Sequence, residues 1–146
     1  MIKVLLDTNV VISGLLYRGK PFEILRLAEQ GHIALCTTPR LFEEFFAVVQ
    51  RKKFSPRLQE LRLSPEALVA KFATLVRIVP LNKQLSLLTR EQPRDPSDAI
   101  VILSALSAAV EVLVSGDQDI LDLKEIRSVR IVSPDEFMET ELWKSR

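Results

Sequence analysis

The chain has a single cysteine, Cys36, and a single histidine, His32, in 146 residues. One cysteine excludes an internal disulfide and any thiolate metal cluster, which suits a reducing compartment. A lone histidine in front of an apolar run is expected at the surface or in a turn, and it leaves the chain without the usual base for acid and base chemistry. Long apolar runs are missing too. Asp7, Ser104 and Ser107 interrupt the longest stretches before they reach the roughly 20 residues that span a bilayer. Asp7 also falls where the apolar part of a signal peptide would continue, so the expected setting is the cytoplasm, with no membrane anchor. Nor is there an excess of charge of one sign. Twenty basic against nineteen acidic side chains give +1, so bulk charge does not announce a nucleic-acid binder, although a near-neutral total leaves room for an acidic pocket beside a basic rim.

What is present is the composition of a globular chain, 47% hydrophobic and 27% charged. Its length fits one domain, taken as residues 1–146. Short apolar runs at Ile2 to Leu6, Ile33 to Cys36, Val76 to Val79, Val112 to Val114 and Val129 to Val132 predict about five strands. Helix-length segments lie between them, and this alternation argues for an α/β fold with a parallel sheet flanked by helices. Pro39 suits a first helical turn, and Leu41, Phe42, Phe45, Phe46, Val48 and Val49 recur at helical spacing, predicting a helix from Pro39 to about Arg51. Residues Ala99 to Val110 are apolar nearly all round, as expected of a buried crossover helix. Lys52 to Ser64, with Pro56, reads as a loop or short helical excursion before a helix starting near Pro65.

Four acids fall where such a sheet places ligands, outside the carboxyl ends of its strands. Asp7 follows the first strand, and Asp117 follows the strand Val112 to Val114 through Ser115 and Gly116. Asp98 opens the crossover helix in Asp95-Pro96-Ser97-Asp98. A fourth acid comes from the helix after Pro39, where Glu43 and Glu44 flank the apolar stripe at similar angles, so periodicity does not choose between them. Taken singly, Asp7, Asp95 and Asp117 also read as N-caps, Asp98 as the far end of a capping box, and Asp119 as a first-turn acid. Taken together they crowd negative charge, which raises carboxylate pKa values unless a cation neutralises it. An all-oxygen set favours Mg²⁺ or Mn²⁺, and with no histidine base the reaction it suits is metal-assisted phosphodiester hydrolysis.

Leu6-Asp7-Thr8-Asn9-Val10, Leu41-Phe42-Glu43-Glu44 running into Arg51-Lys52-Lys53-Phe54, Asp95-Pro96-Ser97-Asp98, and Val114-Ser115-Gly116-Asp117-Gln118-Asp119-Ile120-Leu121 together resemble the PIN-domain family. That family includes ribonucleases and VapC-type toxins, and the likeness spans nearly the whole chain. The resemblance implies a single PIN-like domain and RNA as substrate, with Asp7, Glu44, Asp98 and Asp117 as catalytic and metal-binding acids. Glu44 is preferred over Glu43 by its place relative to Arg51 and Phe54. Asp119 becomes an outer metal contributor, and Asn9 and Ser115 orient acids or water by hydrogen bonds; Thr8 is read as a cap of the first helix. A small antitoxin partner and a homodimer are further implications, the latter supported by Phe45, Phe46, Phe54 and the helix after Pro65 as surplus apolar surface. Arg40, Arg51, Lys52 and Lys53, with Arg57, are candidate contacts for the RNA backbone. Phe54 and Trp143 read as packing residues, Trp143 in one short C-terminal helix with Phe137 and Met138.

Two other readings compete. A Mg²⁺-dependent phosphatase of the haloacid dehalogenase type also places an Asp after its first strand, but it wants a second acid where this chain has Asn9. A PIN scaffold kept only for binding RNA or protein is the other, because a fold persists without its chemistry.

Overall fold

The five short apolar runs picked out in the sequence form strands. The computed structural model describes residues 1–145, and the five expected strands are present: β1 (Ile2–Leu6), β2 (Ile33–Thr37), β3 (Val76–Ile78), β4 (Val112–Val114) and, after a sixth that sequence did not signal, β5 (Glu125–Ile126), the last, β6 (Val129–Val132). The sheet order is β3-β2-β1-β4-β6-β5. All neighbours are parallel except β5 and β6, which form an antiparallel hairpin. The expected sheet of about five strands is present, and a short hairpin strand brings it to six among the described residues. The hairpin carries Arg127 with φ 54°, a left-handed turn made without the glycine that normally marks one.

Among the described residues, eight α-helices surround the sheet: α1 (Thr8–Leu16), α2 (Lys20–Glu29), α3 (Pro39–Val49), α4 (Ser55–Leu61), α5 (Pro65–Leu75), α6 (Ala99–Ser107), α7 (Gln118–Leu121) and α8 (Pro134–Glu139). Side chains alternate across the sheet, so Val4 and Leu6 enter the core on one face and Leu5 that on the other. Leu5 pairs with both Cys36 and Leu113 in the central rows. α1 and α2 approach closely at Gly14, where an added Cβ would meet Leu25 Cδ1 at 2.7 Å and the Pro21 carbonyl oxygen at 2.8 Å.

Several boundaries differ from expectation for local reasons. α3 stops at Val49 rather than near Arg51, because Arg51 is extended and opens a separate 3₁₀ turn, Lys52–Phe54. α6 ends at Ser107 rather than Val110: Ala109 is left-handed at φ 52°, and the Val110 amide returns to the Ala105 carbonyl. Trp143 lies in a 3₁₀ turn, Leu142–Ser145, separated from the helix of Phe137 and Met138 by a left-handed Glu141. The aromatics expected to be surplus mostly pack within the chain. Phe45 is buried against Phe42 and Phe72, Phe54 is half-buried on the same core, and Phe46 is the one left exposed, at 39%.

From β1 the chain moves to β2 and β3 on one side, then returns through α6 to β4 on the other. The β1/β4 boundary is thus the point where strand order reverses, and a crevice opens there at the carboxyl ends.

Candidate active site

The crevice is closed at its base by backbone. The Asp7 amide donates to the Val114 carbonyl at 2.9 Å, and the Ser115 amide to the Val132 carbonyl at 3.0 Å, fixing the ends of β1, β4 and β6 together. Asp7 is the N-cap of α1, with its carboxylate accepting from the Thr8 amide at 2.8 Å. The expected cap, Thr8, instead donates its hydroxyl to Glu44 Oε2 at 2.7 Å. The helix start was already satisfied by Asp7, which frees the threonine to hold the acid on α3. Glu44 rather than Glu43 takes this bond.

Ser115 is fully buried and acts as the bridge. Its hydroxyl donates to Asp7 Oδ2 at 2.8 Å and accepts from the Asp117 amide at 3.0 Å. Asp117 caps α7 by accepting from the Asp119 amide at 2.9 Å. Asp95 accepts from the Ser97 amide at 3.0 Å and caps the 3₁₀ turn Pro96–Asp98, which leads into α6. Asp98 makes no capping bond, so the capping-box reading of this acid fails on geometry.

Carboxylate oxygens of Asp98, Asp117 and Asp119 lie within 4.8 Å of one another. Asp98 Oδ2 is buried and has no hydrogen-bond partner. Burial first, then the negative charge of Asp117 and a hydrogen bond with it, then Asp95 and Asp7, push the Asp98 carboxyl up to about 7. Asp7 is also raised. Burial is the main cause, Glu44 and Asp117 add to it, and the bonds from Ser115 and Thr8 oppose it. A buried oxygen without a partner inside a ring of like charge fits a divalent cation, and oxygen donors alone suit Mg²⁺ or Mn²⁺. Asp119 belongs to the tight trio, while Asp7 joins it through Ser115, and Glu44 lies beyond, held by Thr8.

Two clefts flank the acids. One of about 350 Å³ runs along Asp7, Asn9, Ser13, Gly116 and Asp117; Asn9 is exposed there. The other, about 600 Å³, is lined by Arg40, Glu43, Glu44, Pro96 and Ser97. A cleft of about 570 Å³ between α1, α2 and α5, where Phe22, Leu25 and Leu68 meet Arg26, Glu29 and Lys71, holds none of the candidate site acids.

Of the basic candidates, Arg40 alone sits at the acid edge, in the first turn of α3. Arg51, Lys52 and Lys53 are exposed beyond the other end of that helix. Val49, the last residue of α3, is five residues past Glu44, about 7.5 Å along the axis at 1.5 Å per residue, and Arg51 follows it in extended backbone. Lys53 stands over the Phe54 ring at 5.0 Å. Arg57 is occupied elsewhere, donating to the Leu16 carbonyl at the end of α1 at 2.8 Å and pairing with Glu60. His32 faces Trp143, with ring centroids 5.7 Å apart.

Sequence reasoning missed Arg94. Its Nη2 reaches Asp122 Oδ2 at 2.8 Å, and its Nε lies 3.8 Å from Asp119 Oδ1. Its place one residue before Asp95-Pro96-Ser97-Asp98 was the available signal. The buried Glu91, which takes Arg127 in a two-pronged pair at 3.1 Å, was also missed, since its partner is 36 residues away.

The family model described as a PIN domain matches residues 3–119. No curated protein matches the sequence. Among solved structures, a chain in the crystal structure of VapBC2 from Rickettsia felis, bound to a DNA fragment from their promoter, superposes with a TM-score of 0.58. It is 13% identical, and the match covers 90% of this chain and 98% of that one. At that identity the likeness bears on the fold.

Proposed function

This chain belongs to the PIN-domain family, and from that premise we propose that it is a VapC-like ribonuclease that hydrolyses RNA phosphodiester bonds with Mg²⁺ or Mn²⁺. The observation that carries the reading is the trio of Asp98, Asp117 and Asp119 at the strand-order reversal, with Asp98 Oδ2 buried and unpartnered. Asp98, Asp117 and Asp119 would hold a divalent ion there, and its charge would favour an ionised water and offset charge on the leaving oxygen.

The chain's own residues prepare that site. Asp98, Asp117 and Asp119 offer the converging oxygens. Asp7 stands behind them with one oxygen fixed by Ser115, and Glu44 closes the edge from α3, its carboxylate aimed by Thr8. Asn9, in the adjoining cleft, is available to hold water or substrate. Arg40, on the other side, faces an incoming backbone, while Arg51, Lys52 and Lys53 serve only a substrate long enough to run the length of α3.

The proposal extends to a toxin role in the cytoplasm, with a small antitoxin protein as partner and a homodimer as the working assembly. These rest on the family likeness, with exposed Phe46 as the apolar position on α3 available for pairing; light scattering of the purified chain measures the assembly directly.

Incubating a mixed RNA pool with the chain, with and without Mn²⁺, tests the activity. Cleavage that starts with Mn²⁺ and stops with a chelator is expected. Undiminished cleavage in excess chelator sinks the metal mechanism, and no cleavage under any condition leaves the binding-only scaffold as the better reading.

A further inference from the structure

Loop 79–98 crosses from β3 to the start of α6 and carries Arg94 and Asp98 four residues apart. It is pinned just upstream. Glu91 takes both Arg127 Nε and Nη2, the same guanidinium bonds the Ser86 carbonyl at 2.8 Å, and Glu91 also accepts from the Leu88 amide. Arg94 is thereby held at a set place beside the acids.

Among the described residues, Arg94 is the one basic side chain ion-paired to a member of the acid trio, through Asp119. Its shorter contact, to Asp122, is not one that Asp122 needs. The other oxygen of that carboxylate already accepts from Gln118 Nε2 at 2.6 Å. The Arg94 side chain is 76% exposed, and ion pairs so open to water add little to stability. A guanidinium, however, carries five donors in a fixed fork that matches the oxygens of a phosphate. Its Nε and Nη2 are turned to Asp119 and Asp122, and the side chain is otherwise largely open to solvent.

An RNA backbone crossing five aspartates, Asp7, Asp98, Asp117, Asp119 and Asp122, meets a repulsion that the two charges of one divalent ion offset only in part. We propose that Arg94 is the substrate-holding residue of this site, its guanidinium engaging an RNA backbone phosphate at the Asp98-Asp117-Asp119 edge, with Asp122 as its resting partner when RNA is absent. This rests on the ribonuclease reading. It assigns Arg94 a contact to phosphate and not to bases, so its contribution is the same for every sequence.

The test is binding of a fluorescent single-stranded RNA to the full chain by anisotropy, with Ca²⁺ in place of Mn²⁺ and the RNA checked intact on a gel. R94Q is expected to bind at least about tenfold more weakly, whatever the sequence, as loss of one charged hydrogen bond implies. The slope of log affinity against log salt should become shallower by about 0.7, the value for one phosphate contact on a single strand. R94K should keep part of the binding. D122N separates the proposal from a structural role. Freed from its resting partner, Arg94 should bind RNA at least as well as in the wild type, whereas a merely structural pair would show the same loss from either side. Unchanged affinity and salt slope in R94Q, or a loss in D122N equal to that in R94Q, overturns the proposal. Wild-type cleavage with Mn²⁺ is measured in the same series. If the wild type cuts RNA and R94Q binds normally, Arg94 alone is misassigned; if the wild type neither binds nor cuts, both readings fall.

Discussion

Glu91 and Asp98 sit seven residues apart on one loop and have opposite fates. Glu91 is 8% exposed, yet every demand of its charge is met. Above all the Arg127 bonds, and then the Leu88 amide, hold its carboxyl below the usual range. Asp98 is half-buried among Asp117, Asp119, Asp95 and Asp7, with one oxygen unpartnered and its carboxyl pushed up to about 7. A buried charge that is paired builds structure, whereas one left among like charges destabilises the chain by itself and has a use only when something binds. The first acid anchors the loop; the second is what the loop presents.

Substitution at the two positions should therefore separate stability from chemistry. D98N removes an oxygen that the proposed ion would use and relieves repulsion. RNA cleavage should fall by more than about a hundredfold, beyond the range typical of residues that only orient a ligand, while the metal-free melting temperature holds or rises. Mn²⁺ at a hundred times its dissociation constant should stabilise the wild type by about 2.7 kcal/mol and D98N by far less. E91Q should do the reverse, lowering the melting temperature with and without metal and slowing cleavage by no more than about tenfold. If D98N unfolds readily and its soluble fraction still cuts RNA, the contrast collapses and Asp98 is structural.

A smaller effect is expected where satisfaction and chemistry meet. Ser115 is buried like Glu91, but what it satisfies is Asp7 and the Asp117 amide. S115A should cost about 1 kcal/mol in stability, for a buried amide left without its acceptor, and roughly 10- to 100-fold in cleavage. The hydroxyl opposes the burial that raises Asp7, so its loss should move the acidic limb of the pH profile to higher pH. A change in stability with no change in cleavage would reduce Ser115 to packing.

How much of this was readable in advance depends on how local each cause is. The five main strands were legible because each apolar run is bounded by polar residues, and Asp7, Asp98 and Asp117 because each sits at a strand end or helix start. β5 escaped because two residues carry no period and its turn uses Arg127, not glycine. Glu43 and Glu44 are equivalent by angle, and only the approach of α1 to α3 gives one of them the Thr8 hydroxyl. The pairs made by this loop, Glu91 with Arg127 and Arg94 with Asp122, span 36 and 28 residues. No window along the sequence contains both partners.

The mildest consequence of the contrast is a pH dependence, and its sign follows from the two directions of shift. Glu91, Glu29 and Asp95 have lowered values in the folded chain. They contribute stability that is present above their ordinary values, 4.5 for the two glutamates and 3.8 for Asp95, and is lost as pH falls. Asp98 is the opposite case. Its folded value, about 7, stands above the ordinary 3.8, so across that interval the folded chain holds a proton that the unfolded chain has released, and stability declines as pH rises. Asp7, raised by burial, adds in the same direction. Between pH 4.5 and about 7 the glutamate contributions are already complete, which leaves the acid cluster to set the slope. The metal-free wild type should thus lose melting temperature relative to D98N as pH rises through this window, with the difference levelling off above about 7. Saturating Mn²⁺ should abolish or invert the trend, because the ion displaces the proton and binds better as pH rises. Parallel melting curves for wild type and D98N across the window would mean that Asp98 is ionised at no cost in the folded chain and that its like-charge surroundings do not matter.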